Sequence, residues 1–143
     1  MKIREFSSYK ELLNTHIQEI NKFPIVYYFG IKDSEKGNKE LKEKLSEIGV
    51  TSLSECVSLS NGGVIRNSDV EKYNELVLKQ DKERRKFFED DKNLQIAIKY
   101  AMSSVEYDFS GDLEDVIEAL GISEEELKEE RVIKAFKKVG CCI

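Results

Sequence analysis

The chain has 143 residues, 40% of them hydrophobic and 36% charged, with a formal net charge of −5, which predicts one globular domain over 1–143. No apolar run approaches the roughly 20 residues of a membrane span, and the opening MKIREFSSYKELL has no secretory h-region. Three cysteines, an odd number, do not make a closed disulfide set, so a cytosolic protein is expected.

The first predicted helix is SYKELLNTHIQEINKF. Ser8 and Glu11 make a capping box, and Tyr9, Leu12, Leu13, Ile17 and Ile20 recur at helical spacing. Pro24 ends it. Ile25–Ile31 is β-branched and aromatic, the pattern of a central, buried strand. SEKGNKELKEKLSEIGV predicts a second helix with Leu41, Leu45 and Ile48 on one face and Gly49 as its stop. ECVSLSNGGVIRN predicts a hairpin with a two-residue turn at Asn61-Gly62, setting Leu59 against Val64 and Val57 against Arg66.

From Ser68 the pattern is helical again, with a second capping box at Ser68 and Glu71. Val70, Tyr73, Leu76, Val77, Phe87 and Phe88 are its apolar anchors, Gln80 and Arg84 share their face, and the helix extends to about Glu89. The next helix turns Leu94, Ala97, Ile98, Ala101 and Val105 inward. A short one in SGDLEDVIEALG stops at Gly121, and SEEELKEERVIKAFKKVG opens on a third box, Ser123 with Glu126, as one helix or two with a break near Glu130. The sum is an α+β fold: a small antiparallel sheet of about three strands, about six helices, and a helical C-terminal half. A frayed tail is expected over 140–143. Cys141 and Cys142 do not form a prenylation box, because Gly140 stands fourth from the end.

ALGISEEELKEER has the outline of a helix-turn-helix, and Leu120, Gly121, Ile122 and Leu127 suit a tight turn between packed helices. Charge opposes a DNA-reading role. Residues 106–130 hold eleven acids and one base, a net of −10. Residues 1–105 are close to neutral, with 17 acids and 18 bases, and 131–143 hold four bases and no acid. DNA is repelled by such a block. Two readings fit it: a solubilising surface whose glutamates favour the helix dipole, or an anionic docking face for a basic partner. The docking residues would be Asp112, Glu114, Asp115, Glu118, Glu124, Glu125, Glu126, Glu129 and Glu130.

Other stretches carry less. Asp108–Asp115 fails the calcium-loop spacing, and Asp112 is better placed as a helix cap. The turn region Asn61, Gly62, Gly63 with Arg66, beside Tyr27–Tyr28, could cradle a nucleotide phosphate, but phosphate loops lead into helices and this one leads into a strand. Arg84, Arg85 and Lys86 beside Phe87 and Phe88 read as an ion-paired helix with an apolar stripe. Cys56 reads as a small buried hydrophobe and His16 as a surface or core-edge residue. One histidine and scattered cysteines suggest no catalytic set, no metal site and no cofactor.

SNGGVIRNSD, QDKERRKFFEDDK and VEYDFSGDLEDVIEALGISEEEL resemble stretches of small uncharacterised proteins of phages and prophages of Gram-positive bacteria. That resemblance brings no catalytic residues. It implies an accessory protein of the host cytosol that binds a host protein, a class of role that includes inhibitors of CRISPR and other nucleic-acid-handling defence systems. An acidic face would suit competition for a basic groove. The alternatives are a small-molecule or nucleotide-binding domain at the glycine turn, and a structural, oligomeric particle component.

Overall fold

The computed structural model describes residues 2–27, 35–60 and 62–141. At the start of helix α1 (Tyr9–Lys22) the Ser8 half of the expected box is present, with Glu11 N–H donating to Ser8 Oγ at 3.1 Å, while the Glu11 carboxylate accepts from the Ser7 hydroxyl. Contacts divide the chain into two units, Asn14–Gln80 and Met1–Leu13 with Asp81–Ile143. The division falls inside α1 and inside α3 (Val70–Phe87). The elements make an α+β fold with a helical C-terminal half. Among the described residues no helix is long and apolar enough to cross a membrane.

The unit Asn14–Gln80 holds an antiparallel sheet of three strands, β1 (Val26–Tyr27), β2 (Cys56–Ser58) and β3 (Gly63–Arg66), in the order β1-β3-β2. The middle strand is therefore β3, whose Gly63, Val64 and Ile65 are all buried. Of the expected aromatic strand Ile25–Ile31, the part that pairs among the described residues is Val26–Tyr27, at an edge of the sheet and not at its centre. Val26 and Tyr27 pair with Val64 and Gly63 along one edge of β3, and 28–31 lie outside the described residues.

The hairpin exists one residue out of the expected register. Val57 faces Ile65 where Arg66 was expected, and Val64 is faced by Ser58 where Leu59 was expected. The cause is a three-residue loop. Leu59 N–H donates to Gly63 O (2.8 Å), Gly62 N–H donates to Leu59 O (3.2 Å), and Gly62 takes φ +87°. A left-handed glycine after a tight turn is the usual three-residue solution. A slip of one residue exchanges the faces of a strand, and Val57 is accordingly exposed. Asn61 lies outside the described residues.

Helix α2 (Glu35–Ser46) supplies Leu45 to a core with Val26, Ile48, Val50 and Val64, and Leu41 and Cys56 pack against it. At Gly49 (φ +77°) the chain reverses, so that Val50 N–H donates to Leu45 O. Helix α3 is entered through a 3-10 turn, Asn67–Asp69, in which Arg66 grips the buried Asp69. That arrangement stands where a Ser68–Glu71 box was expected. Ile17 and Val77, expected inward, are 55% and 42% exposed. His16 is half-buried, and its backbone carbonyl accepts from Gln80 Nε2.

In the other unit, α4 (Asp91–Ser104) packs against α6 (Leu113–Leu120) and α8 (Glu130–Lys138). Its apolar face is the expected one: Leu94, Ala97, Ile98 and Ala101 are buried with Val116, Leu120, Val132 and Phe136, and Tyr9, Leu12, Phe87 and Phe88 join them. Each large side chain so buried contributes about 1.5–3 kcal/mol. Asp90 caps α4, accepting from the N–H groups of Lys92 and Asn93. A single turn, α5 (Tyr107–Ser110), follows Glu106, which holds a left-handed φ of +53°. The last predicted helix is two, α7 (Glu124–Leu127) and α8, broken at Lys128–Glu129. Cys141 is buried and its N–H donates to Phe136 O; Cys142 and Ile143 lie outside the described residues.

Candidate functional site

The acidic segment is built by three local devices. Asp112 Oδ1 accepts from Glu114 N–H (3.0 Å) and starts α6. Val116 and Leu120 are drawn into the core, which leaves Glu114, Asp115 and Glu118 on the solvent side. Gly121 (φ +67°) then ends the helix, and a Cβ there would meet Arg84 Nε at 3.4 Å. Ser123 opens α7: its Oγ accepts from Glu126 N–H (3.2 Å), and its own N–H donates to Glu126 Oε1 (3.3 Å).

Glu126 does not belong with the other eight acids of the predicted face. It is half-buried, completes the capping box, and sits 3.3 Å from Arg84 Nη2 and 3.8 Å from Arg85 Nε. Its charge is used inside the fold. Glu130 makes an exposed pair with Lys134 (3.3 Å), worth little in water. The other seven, Asp112, Glu114, Asp115, Glu118, Glu124, Glu125 and Glu129, are exposed and make no ion pair among the described residues. Chain order thus gathers unneutralised carboxylates along α6, α7 and the entry to α8. At four residues, α7 is about 6 Å long, too short to serve as a recognition helix along a major groove.

The glycine-turn residues are arranged differently. Gly63 pairs with Tyr27 across β1 and β3, so the sheet brings those two together, while Asn61 and Tyr28 lie outside the described residues. Arg66 donates through Nε and Nη2 to Asp69 at 2.8 and 3.1 Å. Asp69 holds the Arg66 pKa above its ordinary value, first by hydrogen bonding and then by charge. A phosphate there would have to compete with a carboxylate already in place.

Charge counting missed a buried ion pair. Glu83 is wholly buried, and it accepts from Arg4 N (2.8 Å), Nε (2.7 Å) and Nη2 (2.9 Å). The signal was present in the spacing: Leu76, Gln80, Glu83 and Phe87 fall on one helical row, so Glu83 stands among inward positions. Arg84, read from sequence as lying on the apolar face, is indeed only 12% exposed. It bonds Asp81 at 2.6 Å, lies 5.6 Å from the Phe88 ring centroid, and leaves Nη1 buried without a hydrogen bond. Cys56 is half-buried, and burial followed by the charge of Glu55 pushes its thiol pKa up, away from the reactive thiolate.

No curated protein and no solved structure matches the chain. One family model does match, over residues 8–140, a span that contains the whole acidic segment: the chain belongs to DUF7659, a family of unknown function.

Proposed function

We propose that the protein is a non-enzymatic binding module that docks a basic surface of another protein through the face running from Asp112 to Glu130. The observation that carries this reading is the set of seven exposed carboxylates that make no ion pair among the described residues. Self-repulsion among them opposes folding, and a cationic partner relieves it. The resemblance to phage and prophage accessory proteins supports a host protein as the partner. The charge pattern supports a nucleic-acid groove, of the kind found in defence enzymes, as the surface engaged. The cytosol is the compartment this reading requires.

The test is capture of partners from a Gram-positive lysate at low and at high salt, repeated with Glu118→Lys/Glu124→Lys/Glu125→Lys. These three positions are exposed and make no ion pair among the described residues, so their reversal spares the fold; Glu126 is left intact because it caps α7. A partner held at low salt, released near 1 M salt where the screening length falls to about 3 Å, and lost from the triple variant is the expected result. Equal retention by a folded triple variant overturns the reading.

A further inference from the structure

Beside the acidic face, α3, α4, α7 and α8 enclose a cleft of about 210 Å³. This is below the roughly 300–1,000 Å³ of small-molecule pockets and suits a single long side chain. Its floor is apolar: Phe88, Leu94, Ile122 and Val132 all line it and all are buried. Its rim carries Glu89 and Glu129, both exposed and without an ion pair among the described residues.

Two arginines also line the cleft, and both have their charges committed. Arg131 Nη1 donates to Phe88 O (2.8 Å) and Asp91 Oδ1 (2.9 Å). Arg85 Nε lies 3.0 Å from Asp81 Oδ2 and 3.8 Å from Glu126 Oε1. With these partners and Arg84 included, five acids (Asp81, Glu89, Asp91, Glu126, Glu129) surround the cleft against three arginines. The local field favours a cation, and an anion would have to displace existing pairs.

Lysine and arginine bury an alkyl stem on apolar surface and leave the charged head at the rim. The cleft has that layout in negative. We infer that it receives one arginine or lysine side chain of the basic partner, with the stem on Phe88, Leu94, Ile122 and Val132 and the cation held by Glu89 and Glu129. This rests on the docking reading above and gives the face a specific anchor. A single residue seated in a desolvated pocket commonly dominates an interface.

The experiment uses the full chain, a peptide of alternating arginine and glycine, and arginine amide as the single-side-chain probe, followed by amide NMR shifts. Arginine amide should shift the amides of 88, 94, 122 and 132 saturably. Glu89→Gln/Glu129→Gln, isosteric and exposed, should weaken both probes about tenfold, the loss expected for a charge-assisted contact. Methylguanidinium, which has a charge and almost no stem, should bind more weakly than arginine amide.

Peptide binding that falls with Glu118→Lys/Glu124→Lys/Glu125→Lys but ignores Glu89→Gln/Glu129→Gln overturns the cleft and leaves the docking face standing. Saturable arginine amide binding that needs Glu89 and Glu129, with a peptide indifferent to the face variant, supports the cleft and removes the docking reading. If neither probe binds, both fall.

Discussion

The two units of the chain solve the same problem unequally. The unit of Met1–Leu13 with Asp81–Ile143 buries one continuous cluster, in which α4 is wrapped by α6 and α8 and reached by Tyr9, Phe87 and Phe88. Among the described residues, Asn14–Gln80 buries only a small cluster around Leu45 and Val64, and it leaves Ile17, Val57, Val77 and Leu78 substantially exposed. The former unit carries its charge outward on short, well-capped helices. The latter ties the turn-side cation Arg66 to a neighbouring acid. A surface available for recognition is therefore better supported in the unit whose core is closed, because rigid packing holds the carboxylates without consuming them.

The comparison breaks if the small core proves as consequential as the large one. Phe136, wholly buried, anchors the large cluster, and Phe136→Ala should lower unfolding free energy by about 3–5 kcal/mol. Leu45→Ala should fall toward the low end of about 2–5 kcal/mol, because its smaller surroundings can relax. Urea unfolding of the two variants decides it, and equal losses would show that the two clusters are equally consequential. Arg4→Met removes two side-chain hydrogen bonds to the buried Glu83 carboxylate and should cost about 2–3 kcal/mol. The same urea series reads it, and a loss under 1 kcal/mol, roughly the value of an exposed pair, would mean the grip on Glu83 adds nothing to the closed core.

Helical periodicity is where the sequence was most legible. Leu94, Ala97, Ile98 and Ala101 were assigned to the inner face of one helix and are all buried, because 3.6-residue spacing leaves a single way to face a core. The caps Asp112 and Ser123 were equally readable, since short side-chain oxygens before a charged first turn have one local use. The hairpin's existence was readable and its register was not. Asn-Gly admits a two- or a three-residue loop, and the local pattern of alternating residues does not choose between them. In the site, counting acids found the face but could not separate Glu126 from its neighbours. Only the fold brings Arg84 and Arg85, some 40 residues earlier, against it. Glu83 was hidden for the same reason, its partner Arg4 being 79 residues away.

Glycine substitutions sharpen the contrast at a smaller scale. Gly121→Ala forces a Cβ onto a left-handed residue and toward Arg84 Nε at 3.4 Å, so a loss of about 1–2 kcal/mol is expected. Gly62→Ala at φ +87° strains the hairpin loop and should cost about 1 kcal/mol. Thermal melts rank the two. A harmless Gly121→Ala would mean that the α6–α7 turn is not held as tightly as the Arg84 contact implies.

The smallest effect at neutral pH is the most selective probe of the closed core. Burial raises the Tyr9 hydroxyl pKa from 10.0 to about 12, with Arg84 pulling it down and Tyr100 pushing it up. The unfolded chain therefore releases this proton first. Tyr9 favours the folded state fully below pH 10, and that contribution drains away as pH rises toward 12. In the other unit, Glu55 is held below the ordinary carboxylate range by the backbone N–H groups of Thr51 and Ser52 and by the Thr51 hydroxyl, so its contribution is lost on the acid side, as pH falls below 4.5. Tyr9→Phe should leave stability at pH 7 nearly unchanged and flatten the alkaline limb of the stability curve, while Glu55→Gln should flatten only the acid limb. Urea titrations across both limbs read the two effects separately. If Tyr9→Phe leaves the alkaline limb as steep as before, Tyr9 is not desolvated in the folded chain, and the claim that this core is closed around α4 loses its edge at α1.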